Sequence, residues 1–202
     1  MRGIATRQLS RAALDDLAHG GNHQGVAVEL PDRAAASIGD GLSLARSRGE
    51  PPLFLLLDHL QDPQNFGTLL RTADAVGVHG VVIPGHRAVG VTPAVVRASS
   101  GAVEHLLVIE RSNVAQAIEE LQRERVWVVG LDQAASQPYW EVPATDGLAL
   151  VVGSEGSGLS RLVKKRCDLL VNIPSRGRVE SLNASVAGSI VLYDLWRRRQ
   201  FS

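Results

Sequence analysis

Three polar blocks carry the residues whose types and spacing could do chemistry, and each lies where an apolar run gives way to a helical pattern. The first is Asp62-Pro63-Gln64-Asn65-Phe66-Gly67-Thr68-Leu69-Leu70-Arg71-Thr72-Ala73. Asn65, Thr68 and Arg71 recur every three residues, which sets them near one side of a helix. An amide and a guanidinium so placed suit hydrogen bonding and charge stabilisation at a polar ligand. The same spacing fits a capped helix whose Arg71 pairs with a surface acid, and spacing alone does not choose between the two.

The second block is Val151-Val152-Gly153-Ser154-Glu155-Gly156-Ser157-Gly158-Leu159-Ser160. It reads as a strand entering a glycine-rich turn that opens a helix, a layout that often binds phosphate through free backbone N–H groups. No lysine is present, so this is not a Walker loop, and the glycines do not follow the dinucleotide order. Glu155 in the middle would repel a phosphate. A backbone-rich pocket with a carboxylate at its lip suits a polar or cationic small molecule. A plain tight turn is the alternative, but three glycines within six residues directly after a strand argue against it.

The third block is Ile173-Pro174-Ser175-Arg176-Gly177-Arg178-Val179-Glu180-Ser181-Leu182-Asn183-Ala184-Ser185. A strand is expected to end at Ile173 and a long helix to begin near Ser181, which suits an N-cap. Asn183 in a first helical turn is poorly explained by helix propensity. Leu182, Val186, Ile190 and Leu195 form a helical stripe that reads as core or subunit contact. The run Arg197-Arg198-Arg199 reads as a solvated terminus.

These blocks need a frame, and the apolar runs supply one. Residues 53–57, 80–83, 106–109, 126–130, 148–152 and 169–173 are short runs without alternation, as strands buried on both faces require. Helical patterns lie between them at 65–76, 113–124, 160–166 and 182–199. Strand and helix in alternation predict an α/β parallel sheet with right-handed crossovers. Ahead of it, residues 10–18 predict a helix capped by Ser10, residues 20–25 a linker, residues 26–30 a strand and residues 39–48 a helix.

Composition excludes several classes of function. The 202 residues fit one substantial domain with a short appendage, 45% apolar and only 4% aromatic. With 21 basic and 21 acidic residues the formal charge is zero, so there is no molecule-wide field for nucleic acid. Local patches remain, at Arg87, Arg97, Arg176 and Arg178. The single Cys167 cannot form an internal disulfide and fits a reducing compartment. No run approaches the roughly 18 apolar residues of a membrane helix, and the N-terminus lacks a signal-like stretch. A soluble, cytoplasmic protein is expected. The six histidines show no zinc-ligand spacing, so no metal is expected, and there is no nucleophile elbow with a usable triad.

Taken together, Asn65 to Arg71, Gly153-Ser154-Glu155-Gly156 and Ser181-Leu182-Asn183 resemble the three signature motifs of the SpoU-type (TrmH-type) RNA ribose 2′-O-methyltransferases of the SPOUT superfamily. The likeness runs from about Asp58 to Asp194. The segment Asn22-His23-Gln24-Gly25-Val26 is similar to the join preceding the catalytic domain in the ribosomal-RNA guanosine branch. Members of that branch carry a separate N-terminal RNA-recognition domain, for which this chain has almost no room. The resemblance implies residues 1–23 as an N-terminal segment and linker and 24–202 as a SPOUT methyltransferase domain with a C-terminal deep trefoil knot. It implies S-adenosylmethionine as cofactor, a homodimer, and RNA as partner, ribosomal RNA being favoured over transfer RNA. Backbone at Leu131, Gly153, Ile173 and Leu182 would hold the adenosine part. Asn65, Arg71, Glu155, Ser181 and Asn183 match the polar positions around ribose and methyl donor. Ser175-Arg176 departs from the family pattern, where a methionine is commoner.

The chemistry implied is in-line attack by a ribose 2′ oxygen on a sulfonium methyl. Arginine keeps its proton in proteins, so Arg71 is read as an electrostatic stabiliser and phosphate anchor rather than a base. The proton acceptor is not identified, and Glu155 has three readings: touching RNA, bracing its loop or facing the donor. A catalytically silent RNA-binding knot is the competing reading from another class.

Overall fold

Leu53-Phe54-Leu55-Leu56-Leu57-Asp58 is buried at every position, and its alternate side chains enter two separate apolar clusters. A strand of this kind needs helices on both faces, and the chain provides them. The computed structural model describes residues 5–18, 21, 23–28, 35–85, 90–178 and 181–201. Two compact units are formed, residues 1–34 and 35–202.

In the first unit, α1 spans Arg11–Leu17, and the Ser10 hydroxyl accepts from the Ala13 N–H as its cap. The His23 ring accepts the Gly25 N–H at Nδ1, so its Nε2 donates to Asp15 Oδ1 at 3.0 Å. The expected strand at 26–30 does not form at the described residues 26–28, where Val26 and Val28 are exposed. Asn22 and residues 29–30 lie outside the described residues.

The second unit begins with α2 (Ile38–Arg48), opened by a capping box between Ser37 and Asp40. Next come β1 (Leu53–Asp58), α3 (Pro63–Ala75), β2 (Gly80–Pro84), α4 (Pro93–Ala98) and β3 (Val108–Arg111). Then follow α5 (Val114–Arg123), β4 (Trp127–Leu131), β5 (Gln137–Pro138), β6 (Leu148–Gly153), α6 (Arg161–Arg166), β7 (Leu169–Asn172) and α7 (Ala184–Phe201). All seven strands are parallel, in the order β3-β2-β1-β6-β4-β7-β5. Helices α3, α4 and α7 cover one face; α2, α5 and α6 cover the other. The α/β parallel sheet is thus as expected, with two additions, α4 and the two-residue β5.

The order places the site. From β1 the chain builds outward to β3, then crosses to β4, leaving a place that β6 later fills. Because the strands are parallel, β1, β6, β4 and β7 all end on one edge of the sheet, where ligands collect in open α/β folds.

The end of α7 corrects the expectation of a solvated terminus. The Arg199 guanidinium donates to the carbonyls of Pro51, Pro52, Ala144 and Asp146. Arg198 reaches the Val142 carbonyl and pairs with Asp194. Burial pushes the Arg199 guanidinium below its ordinary range. The expected stripe, read as core or subunit contact, divides between buried and outward-facing positions. Leu195 is core, with Ser185, Gly188, Val191 and Leu192, whereas Leu182 and Val186 face outward. No helix among the described residues is long and apolar enough to cross a membrane.

Candidate functional site

Asp62 starts α3. Its carboxylate accepts the N–H groups of Gln64 and Asn65 and the Asn65 side-chain amide, and these bonds hold it below the usual carboxylate range. With Nδ2 committed to that carboxylate, Asn65 turns Oδ1 the other way. There it meets the buried Ser185 hydroxyl at 2.9 Å, although the two residues are 120 positions apart. Ser185 Oγ is also 2.7 Å from Asn183 Oδ1. The single hydroxyl hydrogen is shared between these two acceptors, and it is the bond to Asn65 that ties the first block to the third.

Asn183, not Ser181, caps the last helix. α7 begins at Ala184, and Asn183 Oδ1 accepts the N–H groups of Ser185 at 2.9 Å and Val186 at 3.2 Å. That is the pattern of an N-cap side chain, and it accounts for an asparagine that propensity left unexplained. Ser181 and Leu182 precede the helix in exposed backbone, Leu182 being 48% exposed.

The glycine-rich turn is closed on itself. Ser154 and Gly158 exchange backbone hydrogen bonds of 3.1 and 2.9 Å, and Gly156 and Gly158 take φ of +81° and +65°. A Cβ on Gly153 would lie 2.2 Å from the Gly158 carbonyl carbon, so the turn folds back onto a position that admits no side chain. Ser154 Oγ meets Ser157 Oγ at 2.5 Å across the turn. Glu155 stands exposed and makes no hydrogen bond among the described residues.

Asp58, buried at the end of β1 and in register with Gly153, anchors the same turn. Its Oδ2 accepts the Ser160 N–H at 2.7 Å, and its Oδ1 lies 2.6 Å from His59 Nδ1. A carboxylate closing an otherwise apolar strand was the sequence signal for this anchor. Leu131 ends β4, and the next residue, Asp132, donates its N–H to Val171 O and pairs with Lys164 at 2.7 Å. The lysine holds the Asp132 carboxyl below its usual range. Ile173 follows β7, half-buried against the α3 and α7 cluster.

Leu131, Gly153 and Ile173 therefore emerge side by side from β4, β6 and β7, and Asn65 and Asn183 are brought together through Ser185. Arg71 stands apart from this network. It lies two turns into α3, exposed, and its Nη1 donates to Ser100 Oγ at 3.4 Å. Among the candidate phosphate contacts, Arg97, Arg176 and Arg178 are exposed. Arg87 lies outside the described residues.

Known proteins share this fold and much of this sequence. The SpoU rRNA Methylase family profile matches residues 52–193. The chain is 44% identical over 198 residues to the putative TrmH family tRNA/rRNA methyltransferase YacO of Bacillus subtilis, covering 98% of this chain and 79% of that protein. Among solved structures, it is similar to the SpoU methyltransferase AviRb from Streptomyces viridochromogenes in complex with AdoMet, with 30% identity and a TM-score of 0.70. That match covers 75% of this chain and 62% of AviRb. An RNA 2′-O ribose methyltransferase is 28% identical with a TM-score of 0.67, covering 86% of this chain and 61% of the other. The chain thus spans about three-fifths of the length of these two solved proteins. With the profile spanning all three blocks and the likeness to YacO running almost end to end, the chain belongs to the SpoU rRNA methylase family.

Proposed function

We propose that this chain is an S-adenosylmethionine-dependent methyltransferase of the ribose 2′-hydroxyl in RNA, with ribosomal RNA as the favoured substrate. The carrying observation is the Asp62–Asn65–Ser185–Asn183 hydrogen-bond chain, which joins polar residues of two distant blocks. Family membership and the 2′-O activity named for one structural neighbour support it.

The residues fit the cofactor. Backbone at Leu131, Gly153, Ile173 and Leu182 would hold its adenosine part, on loops leaving three adjacent strands. One position before Ile173, Asn172 Oδ1 is buried without a hydrogen-bond partner among the described residues, an acceptor open to a ligand amine. The turn around Glu155 carries no basic side chain, which suits a sulfonium better than a phosphate. When bound, S-adenosylmethionine supplies an electrophilic methyl on a positively charged sulfur.

The protein's own part is orientation and electrostatics. For that methyl to be transferred, the chain's own residues would have to hold the ribose 2′ oxygen in line with it and stabilise the charge on that oxygen. Positioning of such partners lowers barriers by roughly 7–11 kcal/mol in well-oriented systems. Arg71 meets the charge developing on that oxygen or an adjoining phosphate. Ser181 and Asn183 orient the ribose, Asn65 holds Asn183 in place through Ser185, and Glu155 acts at the lip of the pocket. Arg176 and Arg178 take RNA phosphates.

A trefoil knot in the segment that ends with α7, a homodimer using the outward face of α7 at Val186 and Tyr193, and a cytoplasmic location complete the proposal. Arg71→Ala tests it. Transfer of tritiated methyl to undermodified ribosomal RNA should be abolished while calorimetry finds cofactor binding retained. Loss of both in a folded variant counts against the role of Arg71. No incorporation by the parent protein, despite cofactor and RNA binding, favours the silent module.

A further inference from the structure

Arg71 has one partner among the described residues, and the fold goes to some length to place it. After α4, Ser100 takes φ +52° and Gly101 φ +86°, two successive left-handed residues that turn the chain back along α3. The turn is pressed against α3 at Gly67. A Cβ there would come 2.3 Å from Ala98 Cβ and 2.8 Å from the Ser99 nitrogen. Ser99 is fully buried, its hydroxyl donating to the Val96 carbonyl at 3.0 Å. Gly67 and Arg71 are four residues apart and so lie one above the other on the same side of α3. The close approach at Gly67 therefore fixes what stands opposite Arg71 one turn later, namely the Ser100 hydroxyl, which accepts from Arg71 Nη1 at 3.4 Å. Both side chains are exposed and accessible to a polynucleotide.

The residue type is informative. A left-handed position favours glycine or asparagine, and a serine there is held against its backbone preference. What serine adds over glycine at Ser100 is the hydroxyl that meets the guanidinium.

We propose that Ser100 is a positioning residue for methyl transfer: it holds the Arg71 guanidinium in the orientation from which its other N–H groups meet the charge forming on the ribose 2′ oxygen. This inference rests on the reading of Arg71 as charge stabiliser.

Glycine and alanine substitutions separate positioning from structure. Ser100→Gly removes the hydroxyl and relieves the backbone, so its thermal midpoint should equal or exceed that of the parent. Ser100→Ala removes the hydroxyl and keeps the strained backbone. Positioning requires both variants to lose about tenfold in kcat, with KM for RNA and cofactor within about twofold of the parent. Ser100→Asn, which tolerates the left-handed backbone and offers an acceptor oxygen, should recover part of the loss. A Ser100→Gly protein with parental or raised kcat overturns the inference, as does a loss confined to KM. If the parent itself transfers no methyl group, the underlying functional reading fails instead.

Discussion

The Ser185 hydroxyl donates to Asn65 Oδ1 across 2.9 Å, linking the first turn of α3 to the first turn of α7. Further along the same pair of helices, Thr72 Oγ1 and Ser189 Oγ lie 2.8 Å apart. The seam between the helices thus carries polar side chains at two levels, and the lower one is shared with the candidate site. Anything that loosens this pair moves Asn65 and Asn183 together.

Ser185→Ala should expose that dependence. It leaves Asn65 Oδ1 buried without its donor, which typically costs about 1–3 kcal/mol. Urea unfolding should show a fall of that order in stability, with methyl transfer reduced in the folded protein. An unchanged midpoint would mean that Asn183 alone keeps the hydroxyl occupied.

Gly153→Ala places a methyl group against the backbone of Gly158 and Leu159, at 2.2 to 2.4 Å. Backbone cannot rotate aside as a side-chain tip can, so the turn must open, at a cost of about 1–3 kcal/mol. Cofactor affinity by calorimetry should fall by at least about tenfold for a protein that still folds. Retained affinity would show that the closed turn is not part of the pocket.

His79 predicts an acid-side loss of stability. The ring is buried, its Nδ1 accepting the Leu53 N–H at 3.0 Å and its Nε2 donating to Glu50 at 3.1 Å. Burial lowers its pKa from 6.5, although Glu50 opposes the shift. Above 6.5 the ring is neutral in folded and unfolded chains alike, and this group adds no pH dependence. Below it the unfolded chain takes up a proton that the fold resists, so stability falls until the lowered folded pKa is reached. Unfolding free energies at stepped pH should decline through this window, and His79→Gln should flatten the decline.

Cys167 should be inert while the protein is folded. Burial first, then Asp168 and Asp58, push its thiol up to about 12, far from the reactive thiolate. Iodoacetamide at mildly alkaline pH should label it only in denaturant. Rapid labelling of the native protein would contradict the raised thiol pKa.

The strands were legible because burial on both faces writes itself as unbroken apolar runs such as Phe54 to Leu57. α4 was not, because the six residues from Pro93 to Ala98 are too few to show a helical period. β5 has only two residues and is defined by its pairing with β7. The start of α7 is two residues later than the expected 182, because Ser181 suits a cap and Asn183 reads as a residue of the first turn. Asn183 prevails because its side chain accepts the N–H groups of both Ser185 and Val186. The polar blocks were visible in their residue types, but Ser185 and Ser100 were not, because their partners lie 120 and 29 positions away. Arg199 illustrates the same limit: three arginines in a row look like surface charge until distant carbonyls converge on one of them.

That convergence bears on the order in which the chain can fold during synthesis. Pro51 and Pro52 lead into β1, yet the guanidinium that binds their carbonyls lies 148 and 147 positions further along the chain. Until residue 199 has left the ribosome, the entry to β1 lacks this clasp, which arrives only after β7 and most of α7 have been made.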